Sequence, residues 1–372
     1  MKKKILIIFG TRPEAIKMAP LIRECKKHNS FITKVCVTAQ HRELLDQVLK
    51  FFKIKPDFDL KLMKPGQSLF DITSDAVKSM EKVLDSFKPN LILVQGDTTT
   101  AFVGALCGFY EKAKIGHIEA GLRSFNKYSP FPEEMNRIIV GRLADFHFAP
   151  TQKAKNNLKN EGIIDNVRVV GNTVIDALLW GLKLITKNDQ RKLEQRYKFI
   201  DFSAKLILVT GHRRESFGLP FENICNALKQ IASNNDVEIV YPVHLNPNVR
   251  KPVFGILRGV KNIHLIEPIP YKDLIWLMKK SYLVMTDSGG IQEEAPTLGK
   301  PVLVMRNVTE RIEGIKAGTA KLVGTNARKI VSETNKLLNN KMYYKKMAKS
   351  VNPYGDGKTS KRIIKVLMSK MV

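Results

Sequence analysis

The sequence has few cysteines and no long apolar run. Its four cysteines form no Cys-x-x-Cys pair, which disfavours zinc and dithiol redox sites, and no His, Cys or Asp spacing is typical of a metal site. We expect buried thiols in a reducing compartment. No segment approaches the roughly 18 apolar residues of a membrane span, and charged residues follow the apolar run 5–9 too soon for a signal peptide. We therefore expect a soluble, cytoplasmic protein without a bound metal.

Acidic residues are scarce relative to basic ones. The chain has 62 Lys and Arg against 35 Asp and Glu, a formal net charge of +27. A nucleic-acid-binding protein is one interpretation. However, the cations are spread along helices and both termini, and no basic block alternates with aromatic residues. We favour a general electropositive field that attracts anionic substrates, with no nucleic-acid partner; a proteome-wide lysine bias remains an alternative.

The glycine pattern Gly-x-Gly-x-x-Gly is missing after the first predicted strand, which disfavours a dinucleotide site. Apolar strands alternate with helices along the chain instead. This pattern predicts an α/β fold of two successive doubly wound, Rossmann-like domains that face each other across a cleft. Helices are predicted at 173–187 and 326–347. The charged segment 188–202 is weakly patterned, and we predict the interdomain linker there.

Polar motifs follow four predicted strands, at residues 10–14, 95–98, 117–121 and 287–294. The carboxyl ends of parallel strands line the ligand crevice of such folds. Asp97 and Glu119 each follow a buried strand, Glu133 opens a helix, and His212 follows a strand and a glycine. Loop carboxylates also serve as solvated or helix-capping groups. His117, within its strand, is more typical of a hydrogen-bonded core histidine.

The segment that begins at Ser288 favours an anion-binding turn. Gly289 and Gly290 let the backbone approach a ligand closely, and the N–H groups of the next helix suit a phosphate. Glu294, one turn later, suits two vicinal ribose hydroxyls. The alternative is an ordinary tight turn with a capping serine.

Two cations lie near the start of the first predicted helix. Arg12 and Lys17 oppose the positive end of the helix dipole there, which indicates an anion nearby. Solvated side chains are the alternative. Thr11 and Glu14 also fit a capping box for this helix.

Seven motifs taken together resemble the non-hydrolysing UDP-N-acetylglucosamine 2-epimerase family. They occupy residues 10–20, 38–42, 95–98, 117–123, 131–137, 210–218 and 288–296, and so span nearly the whole chain. The resemblance implies a GT-B type fold whose last helix crosses back to the first domain. Residues 1–172 and 355–372 would then form one domain, and residues 173–354 the other.

The resemblance also implies an activity, a site and an assembly. The activity is reversible conversion of UDP-GlcNAc to UDP-ManNAc, without metal or nicotinamide cofactor, for cell-surface glycan precursors, and the protein is expected to be a homodimer. The implied catalytic residues are Lys17, Asp97, Glu119, Glu133 and His212. The implied UDP and substrate residues are Arg12, Arg137, Ser288, Gly289, Gly290, Glu294 and Arg311. A second, activating UDP-GlcNAc would be sought at Gln40, His41, Arg213 and His244.

These residue types suit elimination chemistry. Loss of UDP from C1 acidifies the neighbouring C2 hydrogen, cations stabilise the leaving group, and a carboxylate moves the proton. Asp97 is our expected proton-transfer residue, with Glu119 and Glu133 as partner or electrostatic stabiliser. The alternatives are a hydrolysing epimerase that releases free ManNAc, a GT-B glycosyltransferase and, more remotely, a nucleic-acid-binding protein.

Overall fold

Apolar runs form parallel strands from the start of the chain. The computed structural model describes residues 2–38, 42–64, 66–234 and 236–371. Residues 5–9 are fully buried, as expected for a parallel strand covered on both faces. The elements up to residue 184 are β1 (Lys3–Phe9), α1 (Arg12–Lys26), β2 (Phe31–Val37), α2 (Arg42–Phe51), β3 (Phe58–Asp59), α3 (Leu69–Phe87), β4 (Leu91–Gln95), α4 (Thr99–Tyr110), β5 (Lys114–Ile118), α5 (Glu133–Leu143), β6 (Phe146–Ala149), α6 (Gln152–Asn160), β7 (Val167–Val169) and α7 (Thr173–Leu184).

The same alternation continues in the rest of the chain. Its elements are α8 (Lys187–Arg196), β8 (Lys205–Thr210), α9 (Leu219–Asn234), β9 (Val237–Pro242), α10 (Pro247–Leu257), β10 (Ile263–Ile266), α11 (Tyr271–Lys280), β11 (Leu283–Thr286), α12 (Gly289–Glu294), β12 (Val302–Val304), α13 (Ile312–Ala317), β13 (Ala320–Leu322), α14 (Ala327–Asn339), α15 (Lys341–Ala348) and α16 (Thr359–Met371). Short 3₁₀ turns follow β8 and α12.

The chain divides into two units. Unit one comprises Met1–Trp180 and Tyr354–Val372, and unit two comprises Gly181–Pro353. The predicted boundary at residue 172, at the start of α7, lies before the boundary of the two units at Trp180. Most of α7 stays with unit one because its first two turns bury apolar side chains such as Ile175 and Leu178.

Each unit contains one fully parallel sheet. The strand order is β3-β2-β1-β4-β5-β6-β7 in unit one and β10-β9-β8-β11-β12-β13 in unit two. Both orders reverse direction next to the first strand of the unit, between β1 and β4 and between β8 and β11. These are the topological switch points at which doubly wound sheets bind ligands. The predicted fold class, two Rossmann-like α/β domains, is confirmed.

Two predictions of local structure are wrong. The segment predicted as a linker, 188–202, contains α8, which starts with a capping box: Thr186 Oγ1 accepts from the Asp189 N–H, and Asp189 accepts from the Thr186 N–H. Leu193 anchors this helix by burial. The helix predicted at 326–347 is two helices, because Asn340 ends α14 and caps α15 by accepting from the Tyr343 N–H.

None of the described helices combines the length and apolar character needed to cross a bilayer.

Candidate active site

The ends of β1, β4 and β5 bring three predicted motifs of unit one together. These strands are adjacent in the sheet, with Ile7 paired to Leu93 and Gln95 paired to Ile118. The loops that follow them carry Arg12 at the start of α1, Asp97 and Glu119. The sheet order therefore gathers residues that are more than 100 positions apart in sequence.

Glu14 ties two of these loops together. Its Oε2 accepts from the backbone N–H groups of Gly10, at 3.1 Å, and Thr11, at 2.7 Å, which confirms the predicted capping box. Its Oε1 accepts from the hydroxyl of Thr98, at 2.7 Å, beside Asp97. Burial raises the pKa of Glu14 despite these hydrogen bonds. The sequence marked Glu14 only as a local cap, so its link to the next loop is new.

Glu119 is held by donors from three other segments. Its Oε2 lies 2.5 Å from Lys17 Nζ and also accepts from the amide of Gln95. Its Oε1 accepts from Asn172 Nδ2 at 3.1 Å. The backbone of Glu119 has a positive φ of 66°, a conformation uncommon for residues with side chains and frequent at functional turns. Lys17, which we expected near an anion, is thus paired with a carboxylate of the site.

Asp97 is paired with Arg137 of α5. Arg137 Nε donates to Asp97 Oδ2 at 2.8 Å, Nη2 lies 2.6 Å from the same oxygen, and Nη1 donates to Glu134 at 2.8 Å. Asn136 donates to the backbone carbonyl of Asp97 at 2.9 Å. Arg137, which the resemblance assigns to substrate binding, therefore orients a predicted catalytic carboxylate.

Glu134 fixes the loop before α5. Burial opposes its ionisation, but hydrogen bonds from the Ser124 and Phe125 N–H groups and from Arg137 outweigh that cost and lower its pKa. Its neighbour Glu133 instead lines a pocket beside Asp97. The two acidic residues in the first turn of α5 therefore have different surroundings.

A pocket of about 460 Å³ lies against these residues in unit one. Asp97, Thr98 and Glu133 line it together with apolar side chains such as Met63 and Leu69. Within the described part of the chain, Glu133 Oε2 is buried without a hydrogen-bond partner. Buried polar atoms normally have partners, so an unsatisfied one needs an explanation, and a catalytic role is one of the recognised explanations. The pocket thus combines two predicted catalytic carboxylates with an apolar wall.

His117 is a core residue, as predicted. It is buried, and its Nε2 lies 2.7 Å from the carbonyl oxygen of Gly96. Burial lowers its pKa to about 3. A neutral imidazole at this position holds the turn that leads to Asp97.

In unit two, Asp287 organises the loop that follows β8. Its Oδ2 accepts from the backbone N–H groups of His212, at 2.6 Å, and Arg213, at 2.8 Å. The Tyr241 hydroxyl donates to the carbonyl of Gly211 at 2.9 Å. Asp287 belongs to a predicted motif, but its supporting role was missed because it depends on the adjacency of β8 and β11.

His212 stacks on His244. The ring centroids are 5.4 Å apart with planes 16° from parallel. Partial burial lowers the pKa of His212, while the nearby Asp287 acts in the opposite direction. Arg213 Nε is buried without a partner in the described part of unit two. Two of the four residues suggested for an activator thus flank His212, whereas Gln40 and His41 lie outside the described residues.

The loop after β11 presents backbone rather than side chains. Ser288 is the N-cap residue of α12, but its side chain makes no capping hydrogen bond. At Gly289, a Cβ atom would lie 3.1 Å from the guanidinium carbon of Arg311, so glycine allows this close approach. Arg311 Nε also donates to Glu293 at 2.8 Å. The start of α12 therefore combines N–H groups, a free cap position and an adjacent guanidinium, which suits an anion.

Glu294 is buried at the end of α12. Its Oε1 accepts from the Tyr271 hydroxyl at 2.6 Å. A Cβ atom on Gly290 would lie 3.8 Å from its Oε2. Tyr271, which the sequence did not single out, thus orients the carboxylate predicted to bind ribose.

Two Rossmann-like units, one with carboxylates and cations at its switch point and the other with an anion-suited turn, define an α/β enzyme that acts on a phosphorylated small molecule. The family model for UDP-N-acetylglucosamine 2-epimerase matches residues 23–368. The chain belongs to the UDP-N-acetylglucosamine 2-epimerase family.

Individual relatives agree with this assignment. The chain is 54% identical over 373 residues to the UDP-N-acetylglucosamine 2-epimerase of Salmonella typhimurium, covering 99% of both. It is 53% identical to that of Escherichia coli K12, with the same coverage. The crystal structure of the Neisseria meningitidis enzyme bound to UDP-GlcNAc is similar with a TM-score of 0.93, at 52% identity, covering 99% of this chain and 100% of that one.

Proposed function

We propose that the protein catalyses reversible epimerisation at C2 of UDP-GlcNAc, giving UDP-ManNAc. The observation that carries this proposal is the grouping of Asp97, Glu119 and their cations at the switch point of unit one, in a chain that belongs to the epimerase family. The solved Neisseria meningitidis relative is bound to the same nucleotide sugar. The sugar carries an anionic diphosphate and an uncharged ring, which matches a site that combines cations with carboxylates.

The reaction needs a way to remove an unactivated hydrogen. C2 of the sugar bears an amide nitrogen and has no adjacent carbonyl, so direct deprotonation is very costly. When the C1–O bond breaks, UDP leaves with the bonding electrons and C1 becomes cationic. A base then takes the C2 proton, and the C–H electrons form the C1=C2 bond of a glycal. Return of UDP to C1 and of a proton to the opposite face of C2 gives the epimer.

We assign leaving-group stabilisation to Arg12, Ser288, Gly289, Gly290 and Arg311, and ribose binding to Glu294. Backbone N–H groups and guanidinium groups are strong donors to phosphate oxygens and stabilise the charge that develops on UDP. The unused cap position of Ser288 and the approach of Arg311 to Gly289 support this assignment. His212, held by the Asp287 loop, is assigned to the same task.

We assign proton transfer to the carboxylates of unit one. Asp97 is the proposed proton-transfer residue because it lines the pocket and is oriented by Arg137. Glu133, with its unpartnered oxygen in the same pocket, is the proposed partner. Glu119, next to Lys17, is the proposed electrostatic stabiliser of the cationic C1. General acid–base catalysis of this kind contributes about 10²–10⁴-fold each.

The remaining assignments are part of the same proposal. The two domains comprise residues 1–172 with 355–372 and residues 173–354. The protein works as a cytoplasmic homodimer without a nucleic-acid partner. Gln40, His41, Arg213 and His244 are the proposed positions for an activating second UDP-GlcNAc. The unpartnered Arg213 Nε supports a ligand at that position.

Proton NMR of UDP-GlcNAc with the enzyme in D₂O tests the activity. We expect UDP-ManNAc to form, with deuterium at C2 of both sugars. Free ManNAc with UDP would instead identify a hydrolysing epimerase. Unchanged UDP-GlcNAc that keeps its hydrogen at C2, with or without added sugar acceptors, would contradict the proposal.

A further inference from the structure

Asn172 lies at the junction of three parts of unit one. It follows β7, precedes α7 and is 2% exposed. Its Oδ1 accepts from the backbone N–H of Val174 at 3.1 Å, so it caps α7. Because that N–H can only donate, the amide is turned with Nδ2 away from the helix. Nδ2 donates to Glu119 Oε1 at 3.1 Å.

The backbone of Asn172 is held by the segment that returns to unit one. Its N–H donates to the carbonyl of Tyr354 at 2.6 Å, and its carbonyl accepts from Thr359 Oγ1 at 3.4 Å. Tyr354 is the first residue after unit two. The preceding Gly171 has a φ of 95°, and a Cβ atom there would lie 2.7 Å from Thr359 Oγ1. The close approach of the returning segment therefore requires glycine at 171.

Asp176 anchors the same segment one turn further along α7. Its carboxylate accepts from the backbone N–H groups of Thr359, at 3.1 Å, and Ser360, at 2.8 Å, at the start of α16. Burial raises the pKa of Asp176 against these hydrogen bonds. Asp176 and Asn172 thus have different roles. Asp176 holds the returning segment, whereas Asn172 is held by that segment and binds Glu119.

A carboxylate needs donors on both oxygens to be fixed, because the terminal torsion of glutamate is soft. Lys17 and Gln95 both bind Oε2 of Glu119. Asn172 binds the other oxygen, from a residue whose own position depends on the returning segment.

We propose that Asn172 is a positioning residue of the reaction: it fixes the orientation of the Glu119 carboxylate, and residues 354–360 fix Asn172. This inference rests on the proposed epimerase function. Asn172 need not touch the substrate in order to act. Its effect is to keep Glu119 Oε1 in one place while charge develops at the sugar.

Two substitutions separate this role from helix capping. Asn172→Asp and Asn172→Ser both keep an N-cap oxygen for α7, but neither offers the amide donor to Glu119. We expect kcat to fall about 10- to 100-fold in both, the effect of losing one hydrogen bond to a charged group, with KM within about threefold of wild type. Asn326, which caps α14 by accepting from the Lys329 N–H, supplies the matched control, and Asn326→Asp should leave both constants unchanged.

The pH profile adds a readout that a structural role would not change. Among the charged or titratable groups that face Glu119 are Lys17 from α1 and His117 from β5, and the variants retain both. Asn172→Asp adds a second carboxylate, which raises the pKa of its neighbour. The acidic limb of kcat should therefore move to higher pH by about one unit in Asn172→Asp, and by less in Asn172→Ser.

Three results would overturn the inference. They are kcat within twofold of wild type in both variants, a rise in KM alone, and loss of the folded state in both variants, which would assign Asn172 to stability. A wild-type enzyme that forms no UDP-ManNAc is a different failure: it removes the proposed function, and the inference with it. Active wild type with unaffected variants rejects the inference alone.

Discussion

Replacing Asp97 with asparagine should abolish most of the turnover and leave the nucleotide site intact. The substitution keeps the shape of the side chain and one acceptor oxygen, but it removes the charge and the ability to take a proton. The expected loss in kcat is about 10²–10⁴-fold, or about 3–5 kcal/mol in activation free energy at 1.36 kcal/mol per factor of ten. UDP affinity should stay within about twofold, because most of the residues assigned to UDP belong to unit two, and Arg137, which contacts Asp97, stays paired with Glu134.

The structure sets the stability cost of this change. Asp97 Oδ2 is bound by Nε and Nη2 of Arg137, and the side chain of Asp97 is 26% exposed. Hydrogen bonds to charged groups contribute about 1.5–3 kcal/mol, and partial exposure reduces this to about 1 kcal/mol. Arg137 keeps its pairing with Glu134. We therefore expect Tm to fall by only about 2–4 °C, the shift that 1 kcal/mol produces in a folding unit of about 150–250 residues.

Asp145 offers a matched control within the same sheet. It precedes β6, its side chain is 29% exposed, and it pairs with Lys114 at 2.7 Å, but it does not line the pocket around Asp97. The assay is epimer formation by proton NMR, with UDP binding by calorimetry and Tm by scanning calorimetry. Asp145→Asn should retain activity. Wild-type turnover in Asp97→Asn, or equal losses in both variants, would refute the assignment.

Three further predictions concern other parts of the molecule. Glu294→Gln should weaken UDP binding about tenfold, since a charged acceptor for the ribose is lost, and unchanged affinity by calorimetry would count against the ribose assignment. Gly289→Ala places a methyl group 3.1 Å from a guanidinium carbon and should also weaken UDP binding. Gly255→Ala should not, because outside its own helix and chain neighbours no atom lies within 4 Å of the new methyl group; equal affinities in the two variants would contradict this. Because burial lowers the pKa of His117 to about 3, the unfolded state binds a proton that the folded state does not between about pH 6.5 and 3. The free energy of unfolding should therefore fall as pH falls through that range. His117→Gln should reduce the slope of this free energy against pH by up to about 1.4 kcal/mol per pH unit, measured by urea unfolding at a series of pH values. Identical pH slopes in wild type and variant would contradict the burial argument.

The sequence was sufficient to predict strands, their polar ends and the fold class, because these depend on local pattern. Asp97 and Glu119 were recognised as strand-end carboxylates by this reasoning. The side chains that pair with them, Lys17 and Arg137, were not recognised as their partners. The pairing of Lys17 with Glu119 requires β1, β4 and β5 to be adjacent, and strand order is a long-range property that local periodicity does not encode.

Two capping boxes have the same spacing in the sequence, but only one of them was predicted. Glu14 was recognised as a cap because Thr11 lies three residues before it, yet its bond to Thr98 crosses from one loop to another 84 positions away. The capping box of Thr186 and Asp189 has the same spacing and marks the start of α8. We missed that helix because its residues are strongly polar and only Leu193 is buried in it.

Asn172 shows the largest gap between sequence and structure. Nothing in its local pattern distinguishes it from an ordinary N-cap. Its role is visible only when the returning segment, Tyr354 onward, and Glu119 are placed on either side of it. Residues that act through another residue leave a weak signal in a single sequence, because their chemistry is defined by a contact rather than by a motif.

The central claim is that departure of UDP from C1 makes the C2 hydrogen removable. Positional isotope exchange tests it most directly: UDP-GlcNAc carrying oxygen-18 in the bridge between C1 and the β-phosphorus is incubated with the enzyme and followed by phosphorus NMR. We predict that the label scrambles into the non-bridging oxygens of the β-phosphate while UDP-ManNAc forms. Epimer formation with the label retained in the bridge would contradict the account.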